Sequence, residues 1–387
     1  MTIPESDIDL FSDTTLTNTA ETYRTLRGIG PVVHLTKNNL YAITTFEAVR
    51  HALRADSVLV SGRGVAANEL INQENGFATI VSDGDTHRRR RSVLVRPLTP
   101  KALADLRDQI EETADAVVRD LVARDGFDGV TDFASHLPMS IVADLVGLDA
   151  YGKERMLTWA AATFDVLGPM NMRAEKALET SASLLDYVRS LNPAQLQDGG
   201  WAQRVFGEIE TGKLSPPEAA MMVVDYTAPA LDTTILASAE MLWRLGSTDG
   251  AFARIKSDPD LIPGVINESV RLASPIRAFT RYAESDYETA AGMIPAGSRV
   301  AVLYASANRD GAQYDRPDEF LVGRNPRDHV GWGHGAHTCA GMHLARLEME
   351  SLLRAMVAHV DRIEVDTPER IMNNLLQGYA SFSARFA

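Results

Sequence analysis

Apolar residues recur at helical spacing along most of the chain. Between Lys101 and Arg124 they fall at Leu103, Leu106, Ile110, Val117 and Leu121, one stripe of an amphipathic helix that Asp125-Gly126 ends. Segments 152–167 and 173–191 read as two further helices joined at Gly168-Pro169-Met170-Asn171, and 138–148 is short and nearly all apolar, as a buried helix would be. The longest helical pattern runs from Ser215 to Leu245 and opens on Ser215-Pro216-Pro217-Glu218, an N-cap followed by first-turn proline and an acid. Pro229 interrupts its interior, where proline removes a hydrogen bond and costs about 3 kcal/mol. A local distortion is therefore expected across Pro229-Ala230-Leu231-Asp232-Thr233. Helical patterns also cover 261–272 and 344–360.

Alternating, strand-like stretches are brief. Residues 31–35 and 40–44 flank Asn38-Asn39 as a hairpin, and 276–281, 294–303, 362–366 and 379–386 complete the set. Thr45 is placed to cap a helix carrying Phe46, Val49 and Leu53. Two stretches lack any period. Residues 1–20 read as a polar lead-in, and 61–79, with Gly62, Gly64, Asn68, Asn72 and Gly76 scattered through it, reads as a linker or a functional lid. The expectation is one mainly α domain over residues 1–387 with small β-sheets and no internal repeat.

Composition narrows the function classes. Hydrophobic residues make up 45% of the 387, enough for a large core, and the net charge of −14 argues against nucleic acid as a partner. The start has neither a basic n-region nor an apolar h-region, and no window reaches the roughly 18 apolar residues of a membrane span. One cysteine suits a reducing compartment, so a cytoplasmic protein without a membrane partner is expected.

That cysteine carries the chemistry. Cys339 sits in Trp332-Gly333-His334-Gly335-Ala336-His337-Thr338-Cys339-Ala340-Gly341, directly before a helical run. A free cysteine is usually an inert core residue, but glycines and histidines crowded before it suit backbone passing close to a flat ligand. Zinc is the plainer rival, since His334, His337 and His343 flank the thiol; no second cysteine exists to complete a usual closed set. Upstream, Asp85-Thr86-His87-Arg88-Arg89-Arg90-Arg91 places His87 and Arg91 on one helical face, i and i+4.

The cysteine stretch resembles the haem-binding loop of the cytochromes P-450, Phe-Gly-x-Gly-x-His-x-Cys-x-Gly, with Trp332 in place of the phenylalanine. The resemblance extends over nearly the whole chain, with five motifs in the family's order, and implies the family's fold, with haem between a long central helix and the cysteine-loop helix. It makes Cys339 the axial ligand of haem b, with Trp332, Gly333 and Gly341 against the cofactor. His87-x-x-x-Arg91, Arg281 and His337 become the propionate ligands. Asp232 and Thr233 match the acid–alcohol pair that relays protons to bound oxygen, although Pro229-Ala230 stands where Ala/Gly-Gly is usual. Glu268 and Arg271 match the structural Glu-x-x-Arg pair. Glu319 occupies the place where many relatives carry a third partner, an arginine, so another residue or none fills that role.

The implied activity is insertion of one atom of O2 into a small organic substrate, with electrons ultimately from NAD(P)H through a ferredoxin or similar acidic electron-transfer protein and its reductase. Arg88, Arg89 and Arg90 are candidates for that partner's docking site. Val65, Leu70, Ile71 and Phe77 from the 61–79 loop, Phe164, Leu167 and Met170 from the helical pair, Tyr226, Pro229 and Ala230, and Ile276, Ala278, Phe279 and Leu376 are pocket candidates. The helical pair is similar to that of members acting on small aromatic ethers and acids, which suggests O-demethylation of a methoxy-aromatic compound. Val224, Asp225 and Tyr226 favour a neutral phenol or ether, while Arg63 and Arg277 leave room for an acid. The alternatives are a peroxide-driven haem-thiolate peroxygenase and a non-catalytic haem- or zinc-binding sensor.

Overall fold

The computed structural model describes residues 2–74 and 76–387; Asn75, inside the aperiodic 61–79 stretch, lies outside them. Helices dominate, and eight position the site. They are α1 (Gly84–Leu94), α2 (Arg107–Val122), α3 (Ala150–Val166), α4 (Met172–Ser190), α5 (Pro216–Thr227), α6 (Asp232–Ser247), α7 (Ile262–Ala273) and α8 (Met342–His359). Helices α3 and α4 pack side by side, α8 lies against α2, and α6 packs on α7. Their shared core is built from fully buried residues such as Trp159, Leu242, Val265 and Leu352.

A six-stranded sheet flanks the helices, formed by β1 (Glu5–Ser6), β2 (Val32–Leu35), β3 (Leu40–Ile43), β4 (Leu59–Val60), β5 (Phe279–Ala283) and β6 (Arg299–Val302) in the order β1-β2-β3-β6-β5-β4. The expected hairpin is β2–β3, with Asn39 taking the positive φ of 49° that its turn demands. Antiparallel pairing of Arg281 with Val300 fixes β5 so that Arg281 is buried beside the cavity described below.

Several expectations change. The lead-in is structured: β1 pairs in parallel with β2, helices Asp13–Thr17 and Thr19–Ile29 follow, and Leu10 and Phe11 are buried. These elements are too short to show a period. Thr45 does not cap its helix through its side chain; the Phe46 N–H donates instead to Asp310 Oδ2 at 2.8 Å. Segment 138–148 begins as a wide-pitch π turn, Pro138–Val142, before Ala143–Val146 closes to α.

The 61–79 stretch holds a helix, Glu69–Glu74, and its scattered asparagines are staples. Asn72 bonds both backbone groups of Ala66 at 2.9 and 3.2 Å, and Asn68 Nδ2 donates to the Val166 and Gly168 carbonyls at 2.8 and 2.6 Å. The long 215–245 pattern is two helices, α5 and α6, separated at residues 228–231 around Pro229. Among the described residues no helix is long and apolar enough to cross a membrane.

Candidate functional site

Between the α5–α6 break and the start of α8 lies a cavity of about 570 Å³. Its floor is the cysteine loop. Gly335 has φ +74°, and a Cβ there would stand 2.4 Å from the Leu53 carbonyl oxygen, so only glycine lets the loop pass. The Cys339 N–H donates to the Trp332 carbonyl at 2.7 Å, closing the loop beneath the thiol. Cys339 lines the cavity, and the accessible surface it shows is cavity wall. Burial pushes its thiol up. The amides of Gly341 and Met342, at the N-terminus of α8, and the charge of Arg91 push the other way. Those groups favour a thiolate once a cation is placed against the sulfur.

Four basic groups converge beside it. His87 and Arg91, one turn apart on α1, face His337 from the cysteine loop and Arg281 from β5, and all four line the cavity. The His87 and His337 rings lie 4.2 Å apart between centroids. Arg91 donates to the Thr338 carbonyl, and Arg281 Nη1 to the Thr280 carbonyl at 2.8 Å. Among the described residues no ion pair joins any of the four to a carboxylate. Burial lowers His87 and His337, and the neighbouring positive charges lower both further. Buried His87 Nε2 and Trp332 Nε1 have no partner at all.

A thiol beside two arginines without carboxylate partners and two buried histidines, with two orphaned ring nitrogens, fits a planar cofactor that offers a metal to sulfur and two carboxylates to the cluster. It does not fit zinc. No three His, Cys, Asp or Glu side chains converge among the described residues, because His334 turns outward to Arg54 Nε at 2.8 Å.

The opposite wall is the helix break. Thr233 Oγ1 donates to the Pro229 carbonyl at 2.7 Å, and Pro229, Ala230, Thr233 and Thr234 all border the cavity. Asp232 is buried with Oδ2 unpartnered, and burial pushes its carboxyl up to about 7. Because its folded pKa lies above the unfolded value near 3.9, the neutral acid is favoured on folding. Stability from this group is therefore full below pH ~4 and falls as pH rises through about 7. Replacing Asp232 with Asn should remove that decline, a difference on the order of a few kcal/mol between pH 4 and 8. Thermal unfolding of the two proteins across that range measures it; parallel profiles would contradict it.

The remaining expected residues divide. Val65, Leu70, Ile71, Phe164, Leu167, Tyr226, Ile276 and Phe279 line the cavity. Phe77 does not; it is 48% exposed on the outer side of its loop. Leu376 is buried but stands one layer back, bridging Ile276 through the backbone, and Met170 and Ala278 also lie off the wall. Arg63 pairs with Glu284 at the surface, and Arg277 is buried among the carbonyls of Leu10 and Asn374 and the Tyr23 hydroxyl. Neither reaches the cavity, so the option of an acidic substrate loses both its cations.

The arginine run is not a free basic patch. Arg90 is buried, donating to Glu218 at 2.8 Å and to the Gly76 and Ala78 carbonyls, and Arg89 shares Glu218 at 2.6 Å. Arg88 and Arg89 stay exposed, but Arg88 lies beside Asp85 and Arg89 is held by Glu218.

Under the floor, Glu268 and Arg271 are fully buried and bidentate at 2.7 and 2.8 Å. The third partner is Arg324, whose Nη1 lies 3.2 Å from Glu268 Oε1; position 319 serves through its carbonyl, which accepts from Arg271. Glu348 on α8 carries no motif. It lines the cavity with both carboxylate oxygens buried and unpartnered, and burial pushes it up to about 8. The one sequence signal for it was an acid within the apolar stripe Leu344, Leu347, Leu352.

Comparison with known proteins gives concordant relatives. The family model described as Cytochrome P450 matches residues 259–380. Cytochrome P450 CYP199A2 of Rhodopseudomonas palustris is 34% identical over 385 residues, 98% of this chain and 93% of that protein. The beta-dihydromenaquinone-9 omega-hydroxylase of Mycobacterium tuberculosis is 28% identical over 94% of this chain and 75% of its own. Among solved structures, the Mycobacterium marinum P450 CYP268A2 in complex with pseudoionone superposes with a TM-score of 0.88 at 25% identity, covering 99% of both chains.

Proposed function

The chain belongs to the cytochrome P450 family, and we propose that this monooxygenase O-demethylates a small neutral methoxy-aromatic substrate, a phenol or an ether. The family's cofactor is thiolate-ligated haem b, which when bound supplies activation of O2 with electrons drawn ultimately from NAD(P)H. Cys339 is assigned as its ligand, and His87, Arg91, Arg281 and His337 as partners of its carboxylates. Trp332, Gly333 and Gly341 border it from the same loop.

The residues of the helix break handle protons, Thr233 in the cavity wall and Asp232 buried behind it. Asp232, with a pKa near neutrality, can exchange a proton at physiological pH, and Thr233, held by the Pro229 carbonyl, is positioned to pass one on. The reaction is Ar–O–CH3 + O2 + 2 e− + 2 H+ giving Ar–OH, formaldehyde and water. The C–H bond of the methyl is oxidised and the resulting hemiacetal splits.

One observation carries the choice of a neutral substrate. Beyond the cluster of His87, Arg91, Arg281 and His337, the cavity is bordered by Glu74, Asp186, Asp225 and Glu348 against one further cation, Arg189, and Arg63 and Arg277 are committed elsewhere, so a methoxy-benzoate would meet mostly like charge. A ferredoxin is proposed as electron donor in a cytoplasmic setting. Arg50 and Arg54, whose charges add to burial in lowering His334 on the cysteine loop, replace the arginine run as its cationic contacts.

The holoenzyme with NAD(P)H, a ferredoxin and its reductase should release one formaldehyde per 4-methoxyphenol consumed, and far less from 4-methoxybenzoate. Preference for the benzoate, or no product from either, contradicts the reading. In Thr233→Ala, coupled product formation should fall by on the order of 100-fold while NAD(P)H oxidation continues. Retained coupling would favour the peroxide-driven alternative.

A further inference from the structure

Asp225 lies on α5, half-buried, with part of its surface in the cavity wall. Its Oδ2 accepts the Thr79 N–H at 3.0 Å, tying the 76–79 segment to α5. That staple uses one oxygen, and among the described residues Oδ1 receives no backbone hydrogen bond. The polar neighbours are already engaged. The Tyr226 hydroxyl donates to the Leu94 carbonyl at 2.7 Å, and Arg90 is held by Glu218 and two carbonyls. The exception is Thr79, 3% exposed, whose Oγ1 makes no well-formed hydrogen bond among the described residues, although it borders the cavity and lies near enough to Asp225 to help hold that carboxyl down. A buried hydroxyl without a well-formed hydrogen bond is destabilising, and a ligand that supplies one recovers the loss. Burial holds the Asp225 carboxyl up at about 6, so at neutral pH it is largely ionised and acceptor-only.

Resting on the reading of a small aromatic substrate, we infer that Asp225 and Thr79 form a specificity site for a substrate hydroxyl. The hydroxyl donates to Asp225 Oδ1 and accepts from Thr79 Oγ1. An ammonium group, a donor only, gives the Thr79 proton no acceptor, and a carboxylate, an acceptor only, meets Asp225 with like charge. Asp225 stands in the last turn of α5, directly ahead of the break at residues 228–231 that borders the cavity. A hydroxyl held at Asp225 therefore directs the para substituent to the helix break above Cys339.

The test is ligand titration of the holoenzyme, read as the haem spin-state shift, with 4-methoxyphenol, 4-methoxytoluene, 4-methoxybenzylamine and 4-methoxybenzoate. The wild type should bind the phenol about tenfold or more tighter than the toluene, one well-made hydrogen bond's worth. Asp225→Asn keeps the Thr79 staple through its amide oxygen and turns a donor toward the cavity. It should weaken the phenol about tenfold, strengthen the benzoate, and leave the toluene within about twofold, the last result also reporting intact folding. Thr79→Val should weaken the phenol alone.

The inference is overturned if Asp225→Asn shifts every ligand equally or none, or if the benzylamine outbinds the phenol. It is likewise overturned if no phenol gives a spin-state response. Repeating the titration with 4-ethylphenol and 4-ethyltoluene separates this from the reaction assignment. Asp225-dependent preference in the ethyl pair, with methoxy compounds bound but not demethylated, sinks O-demethylation and leaves the hydroxyl site standing.

Discussion

Glu268→Ala is expected to destabilise the protein by about 3–5 kcal/mol, the cost of stranding a buried charge. Arg271 is 0% exposed, and its guanidinium also donates to the carbonyls of Asn308 and Pro317 at 2.6 and 2.7 Å. Those carbonyls orient it but supply no countercharge. Glu268 further accepts from the Leu321 N–H and from Arg324, so its loss frees the segment 321–324 before the cysteine loop as well as α7. The melting temperature should fall by on the order of 5–10 °C, with weakened haem retention. Changing both partners, Glu268→Leu with Arg271→Leu, should cost less than Glu268→Ala, because the fully buried Arg271 charge goes with its partner and only the partly exposed Arg324 loses its carboxylate. Melting curves of the three proteins decide it. Equal stability of Glu268→Ala and wild type would show that the pair does not brace the floor.

Cys339→Ser should abolish monooxygenation, lowering product formation to roughly a thousandth or less, a barrier increase of about 4 kcal/mol. Serine fits the space of the thiol and keeps the backbone bond to Trp332, so the fold should persist. What is lost is the electron-rich sulfur, which an alcohol held by the Gly341 and Met342 amides cannot replace. Product assays alongside circular dichroism separate lost chemistry from lost structure. Near-wild-type turnover by a folded Cys339→Ser protein would remove Cys339 from the reaction.

These two residues were legible because motif and environment coincide. A glycine-punctuated loop can be read from residue types alone, and Glu-x-x-Arg puts opposite charges one turn apart in an apolar helix. The α5–α6 break was announced by a proline in a helical run, where local chemistry outweighs the tertiary context. What stayed hidden depends on distant partners. Arg324 completes the ion-pair set from more than fifty residues away, and Asp310 caps a helix on the far side of the sequence. The four arginines looked like a surface patch because sequence cannot show that Glu218 arrives from α5 to bury one and pin another. Phe77 failed as a pocket residue for a related reason: in an aperiodic loop, no spacing says which side faces inward.

The central claim is that Cys339 delivers a thiolate to haem iron from the cavity floor. The reduced, carbonyl-bound absorption spectrum of the intact holoprotein tests it most directly. The account predicts the long-wavelength Soret band of a thiolate-ligated haem; a band at the shorter wavelength of histidine-ligated haem in folded protein would contradict it.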